Sequence, residues 1–143
     1  MFVIVPYQSV GPIRFGMSSA ELVQAVGAPT NSRENSSGEL SFQYPAFSVR
    51  LSAKDQTVAE AGFSSANDVR LGDVNIFGSI TAFEKLAELD GNPLEYLGFI
   101  VLLNLGITMT GFHDDDPSDR AVTVFARGRW DDLRPDLKEY GLP

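Results

Sequence analysis

The residues best placed to do chemistry crowd into one segment, His113-Asp114-Asp115-Asp116-Pro117-Ser118-Asp119. Four carboxylates within six residues supply the oxygen ligands that calcium prefers. The glycine and the terminal bidentate glutamate of an EF-hand loop are missing, however. Three consecutive aspartates on an extended chain would also point in different directions. The same charges could dock a basic partner, or simply solvate a hairpin loop, for which Pro117 and Ser118 are ordinary turn residues. His113 is the only histidine of the chain and there is no cysteine. A lone loop histidine is a poor catalyst, so it is expected to face solvent.

Other chemistry is missing at the level of motif. The chain has no nucleophile elbow, zinc-binding histidine pair, phosphate loop or dinucleotide fingerprint. No catalytic residue, metal or cofactor is expected. The formal charge is −8, with −2 on residues 1–69 and −6 on residues 70–143. Nucleic-acid binding needs clustered Lys and Arg, so it is not expected. An acidic field attracts a basic protein instead. The longest apolar run, 97–107, contains Asn104 and falls short of the ~18 apolar residues of a membrane span. The N-terminus does not read as a secretory leader. We expect a soluble cytoplasmic protein; the lack of cysteine suits a reducing compartment.

The elements that must position these residues are written in two similar passages. Phe15-Gly16 and Phe77-Gly78 each precede a small polar stretch, then an amphipathic run that ends in Gly27-Ala28-Pro29 or Gly91-Asn92-Pro93. Ser18 or Ser19 can cap the first helix, with Leu22, Val23 and Val26 as its stripe. Ser79 or Thr81 can cap the second, with Ile80, Phe83, Leu86, Ala87 and Leu89. Gly27 and Gly91 end them, and a proline follows each. Residues 30–39 read as a loop. Strands are expected at Leu40–Tyr44, Phe47–Leu51 and Val58–Phe63, then at Leu97–Leu103, Ile107–Phe112 and Ala121–Ala126. The fold expected is α+β: two tandem helix-plus-antiparallel-sheet units, 1–69 and 70–143, forming one continuous sheet with helices on one face. The tail is expected to pack through Trp130 and Leu133 and then fray.

The passages Phe15-Gly16-Met17-Ser18 with Gly27-Ala28-Pro29, and Phe77-Gly78-Ser79 with Gly91-Asn92-Pro93, resemble the tandem-repeat fold of the β-lactamase inhibitor protein. They are also similar to the single-unit fold of the SmpA/OmlA lipoproteins. The resemblance covers residues 10–126 and implies a protein-binding module whose concave sheet faces a partner.

Strand alternation would place Thr108, Thr110, Thr123, Phe125, Arg127 and Arg50 on the open sheet face. Aromatic and arginine side chains there could carry binding energy. Alternatively, Phe125 lies beneath the tail against Trp130. The expected partner surface therefore comprises Asp114, Asp115, Asp116, Asp119, Thr108, Thr110, Phe125, Arg127, Trp130 and Arg50. The function expected is a non-enzymatic binding module, most concretely an immunity or inhibitor protein that neutralises a basic toxin or an enzyme. Two alternatives compete: a self-associating module, and a small-molecule binder on the sheet face. The apolar stretch Tyr96–Leu103 would serve self-association, since a two-fold dimer can bury such a strand by edge pairing.

Overall fold

The computed structural model describes residues 1–113, 116 and 119–141 of the chain. Among the described residues, short strands dominate, with two α-helices and one 3₁₀ helix. The first segment gives β1 (Phe2–Val5), β2 (Ser9–Val10), β3 (Ile13–Arg14), α1 (Ser19–Val26) and β4 (Asn31–Glu34). Then come β5 (Leu40–Gln43), β6 (Phe47–Leu51), β7 (Val58–Ser64), β8 (Val69–Leu71) and β9 (Val74–Asn75). The rest is α2 (Ala82–Asp90), β10 (Leu94–Tyr96), β11 (Phe99–Leu102), β12 (Ile107–Thr110), β13 (Ala121–Phe125), a 3₁₀ helix at Asp131–Asp136, and β14 (Lys138–Glu139).

Both helices are set by local chemistry. The Ser18 hydroxyl accepts from the Glu21 amide at 3.2 Å, and the Ser18 amide donates to the Glu21 carboxylate at 3.0 Å, a capping box. In α2 Phe83, Leu86, Ala87 and Asp90 are buried at helical spacing, whereas Ile80 and Leu89, expected in that stripe, are exposed. Thr81 at the N-cap makes no side-chain capping bond, and Gly91 closes the helix in the left-handed region at φ 82.

The expected α+β class is not what forms. Strand makes up 39% of the described residues against 18% helix, and the strands build two sheets. One has nine antiparallel strands in the order β14-β10-β11-β12-β13-β7-β6-β5-β4. The other is β3-β2-β1-β8-β9, in which β1 and β8 run parallel. Its strands are two to four residues long, too short to show a period in the sequence. This small sheet packs on the inner face of the large one, where helices alone were expected. The Phe2 ring lies 5.4 Å from that of Phe47 and 4.8 Å from that of Phe63. Ile4, Val10, Ile13, Val69 and Val74 of the small sheet join Val49, Phe63, Ile107, Met109 and Val124 of the large one in a single core. Residue 69, the expected end of the first unit, starts β8, which pairs with β1 and β9.

Three further expectations change. Residues 31–34, assigned to a loop, form β4, an edge strand whose side chains are all exposed. The apolar stretch Tyr96–Leu103 is not one strand. Leu97 (φ 47) and Gly98 (φ 87) make a two-residue hairpin turn between β10 and β11, as positive φ at both positions requires. With β14 on one side of this hairpin and β12 on the other, it offers no unpaired edge for a second copy. Finally, the described tail does not fray. β14 pairs with β10, and the Tyr140 amide donates to the Pro93 carbonyl at 3.0 Å.

Candidate functional site

The outer face of the large sheet is built by register. Val101, Thr108, Thr123, Gly62, Ser48 and Gln43 stand side by side across β11, β12, β13, β7, β6 and β5. The row is closed at one end and open at the other. Val101 is 0% exposed and Thr108 4%, whereas Thr123, Gly62 and Ser48 are half-buried and Gln43 is exposed. Phe125, on the same face, is 1% exposed: the Trp130 ring sits 6.2 Å from it and 5.7 Å from Tyr96. The Tyr7 ring, 5.9 Å away, and Trp130 of the tail together cover Phe125.

Arg129 ties that cover down. Its guanidinium bonds the Glu60 carboxylate at 2.8 Å and pairs with Glu39, with side chains about four-fifths buried on all three residues. The hydrogen bond from Arg129 holds the Glu39 carboxyl below its ordinary value, and the two carboxylates raise the Arg129 value against the cost of burial.

The uncovered part is a shallow groove of about 440 Å³ over Ser48, Gly62, Ser64, Ala121 and Thr123. Gly62 is its floor. Its backbone is not in the left-handed region, and an added Cβ would meet only Ser48 Oγ at 3.5 Å and Thr123 Oγ1 at 3.6 Å, ordinary contacts. Pairing is regular at Gly62; the bulge in this hairpin lies at Arg50–Leu51. Nothing in the fold demands a glycine there. A glycine inside a strand without a bulge often marks a tight bend or a place where another backbone or ligand comes close.

Two clefts flank the turn Gly91-Asn92-Pro93. One, of about 590 Å³, is walled by Phe83, Phe112, Tyr140 and Pro93, with Glu84 and Glu88 at its rim. His113 lines it too. The expected solvent-facing histidine is instead half-buried, its ring 6.1 Å from Phe83 and 5.7 Å from Tyr140. Its Nδ1 is buried and has no hydrogen-bond partner among the described residues. The other cleft, of about 630 Å³, is polar, lined by Tyr7, Asn92, Asn104, Arg127, Asp131 and Arg134. Arg127 stacks on the Tyr7 ring at 4.4 Å, and the Tyr7 hydroxyl donates to the Leu103 carbonyl. Asp90, 5% exposed, fixes the turn between the clefts. Its carboxylate accepts from the amides of Asn104 (2.8 Å), Leu105 (3.1 Å) and Asn92 (3.2 Å). Burial still pushes its pKa up, outweighing these three bonds.

The residues expected to form one partner surface are dispersed. Asp114 and Asp115 lie outside the described residues. Asp116 and Asp119 are exposed, joined by a turn bond at 3.0 Å, and Thr110 Oγ1 donates to the Asp119 carbonyl at 3.0 Å. Thr108 and Phe125 are buried, so neither presents a side chain to a partner. Trp130 is half-buried on Phe125, and Arg127 caps the polar cleft. Only Arg50, exposed on β6, belongs to the open half of the sheet. No group of three or more potential metal ligands gathers among the described residues. No helix there is long and apolar enough to cross a membrane. Sequence reasoning missed Gly62, Glu39, Arg129 and the cleft residues Phe83 and Tyr140. Of these, only Gly62 carried a signal, as a glycine within an apolar β-type run. No family model matches the chain, and neither a curated protein nor a solved structure does.

Proposed function

We propose that this chain is a non-catalytic protein-binding module that seats its partner on the open half of the large sheet. The observation that carries this reading is Gly62: an outward glycine in the centre of the sheet, unneeded by the fold, between the small side chains of Ser48 and Thr123. A flat, hydroxyl-lined groove lets a partner's backbone or a flat side chain lie against the sheet. Gln43 and Arg50 at its margin offer polar contacts of the kind found at an interface rim.

The most concrete version is a cytoplasmic immunity or inhibitor protein. The charge of −8 would speed association with a basic toxin or enzyme without needing contact from every carboxylate. The test is co-expression with the products of neighbouring genes, scored by rescue from toxicity and by co-purification. Ser48→Arg with Thr123→Arg should abolish the complex while the melting temperature holds. A partner that binds the double variant as tightly as the parent excludes this face.

A further inference from the structure

The polar cleft beside the Gly91-Asn92-Pro93 turn is built around one exposed cation. The Arg127 guanidinium lies 4.4 Å over the Tyr7 ring and is in no ion pair among the described residues. Tyr7 takes the third position of the turn Val5–Gln8, which the Gln8 amide closes on the Val5 carbonyl at 2.9 Å. Its φ is 63, in the left-handed region, where turns ordinarily place glycine or asparagine. The ring is fixed from three directions. Its hydroxyl donates to the Leu103 carbonyl, the Phe125 ring meets it at 5.9 Å, and a Cβ on Gly106 would press on it at 3.2 Å. Covering Phe125 accounts for the ring. It does not account for the arginine laid over that ring, which stays exposed and meets no carboxylate.

A guanidinium stacked by its face keeps its N–H edge free, and that edge matches two oxygens of one anion. The other groups of the cleft favour the same ligand. Arg134 uses its Nε on Asp131 at 3.2 Å and keeps its terminal N–H groups. Asn92 carries a side-chain amide with no hydrogen bond among the described residues, whereas the Asn104 amide is taken up by the Asp90 carbonyl at 2.8 Å. The Asp90 carboxylate, behind the turn, is already held by three backbone amides. On the lining itself, two guanidiniums stand against one carboxylate, Asp131, which leaves one net positive charge. That charge suits a monoanion better than a dianion.

We infer that this cleft binds a carboxylate on the edge of Arg127, with Arg134 and Asn92 as further donors. A volume of about 630 Å³ admits an acidic side chain or a small organic acid. The same chemistry exists as a free acid and as an acidic side chain on a protein, and the two sources are separable by experiment.

Acetate, its neutral counterpart acetamide, inorganic phosphate and a blocked peptide bearing one glutamate should be titrated into the intact chain at pH 7. Ionic strength is held constant with chloride, so that screening does not register as binding. NMR of the Arg127 Nε–H and of the Asn92 side-chain amide reads the site. Saturable shifts are expected with acetate or the peptide, and none with acetamide. Arg127→Gln should weaken the carboxylate about tenfold, as loss of a charge-assisted pair does. Arg127 is exposed, so the melting temperature should hold. A peptide that binds more tightly than acetate assigns a protein-borne acid; the reverse assigns a free one. The inference fails if acetamide shifts the same resonances as far, or if Arg127→Gln binds unchanged. It also fails if neither carboxylate saturates by roughly 100 mM, a range where even very weak sites fill. Phosphate binding more tightly than both carboxylates overturns the assignment to a carboxylate. None of these results bears on the Ser48–Gly62–Thr123 groove.

Discussion

The β10–β13 half and the β4–β7 half of the large sheet share one ladder of hydrogen bonds, yet their outer faces are used differently. In the first, Val101 and Phe125 place apolar side chains on the face opposite Ile100 and Val124, and both are buried. In the second, Ser48, Gly62 and Gln43 stand opposite Phe47, Phe63 and Phe42 and remain uncovered. Apolar residues on both faces of a strand require a cover, whereas alternation requires none. The cover over Phe125 is the chain's own Tyr7 and Trp130 rather than a second copy. Alternation alone does not decide which face is free, since β12 alternates and its Thr108 is 4% exposed; the outer face left open for a partner runs from Thr123 of β13 across Gly62 to β6 and β5.

The largest effect that tests this contrast is Phe125→Ala. Removing a fully buried phenylalanine should cost about 3–5 kcal/mol. Ser48→Ala, across the sheet, should stay within about 0.5 kcal/mol. Chemical denaturation of both variants checks the pair. Similar losses would mean that the two halves are covered alike.

The next effect concerns the Arg129 tie. Glu39 has a folded-state pKa below its ordinary value, because Arg129 stabilises the carboxylate. It therefore contributes stability that is present above the unfolded value and is lost as pH falls through the folded one. Glu39→Gln should cost about 1–2 kcal/mol at pH 7, less than a fully buried pair because the site is partly solvated. The gap between variant and parent should close in acid, measured as unfolding free energy against pH. Asp90, whose pKa burial raises, contributes the opposite slope: its stability falls as pH rises from the unfolded value through the folded one. A gap that widens in acid on replacing Glu39 would show that Arg129 does not hold the tail through this carboxylate.

How much of this was legible follows from what each element demands of its own residues. The Phe47–Leu51 alternation and the Phe83, Leu86 and Ala87 part of the α2 stripe are local periodicities that the sequence displays, although Ile80 and Leu89, read into the same stripe, are exposed. β4 reads Asn-Ser-Arg-Glu, with no apolar residue, because an edge strand with both faces exposed needs none. β1 pairs in parallel with β8, some sixty-odd residues away, through Phe2↔Val69 and Val3↔Arg70; no local pattern records a partner at that distance. The small sheet was hidden for that reason, and with it the correct fold class. His113 is similar. Its burial comes from Phe83 on α2 and Tyr140 after β14, which only the tertiary fold brings together.

The smallest effect tests the open half most directly, because it separates stability from use. Gly62→Ala places a Cβ in ordinary contact with Ser48 Oγ and Thr123 Oγ1, with no left-handed backbone to strain. A strand glycine costs about 0.5–1 kcal/mol relative to alanine through backbone entropy. The variant should therefore be more stable than the parent by about that amount. If the groove receives a partner at van der Waals distance, the same methyl should weaken the complex even as the fold gains. Paired denaturation and affinity measurements read the two signs separately. A variant that gains stability and binds unchanged would show that the partner does not approach Gly62. A variant that loses stability would show instead that the glycine is needed by the sheet, and the groove would lose its claim as the binding surface.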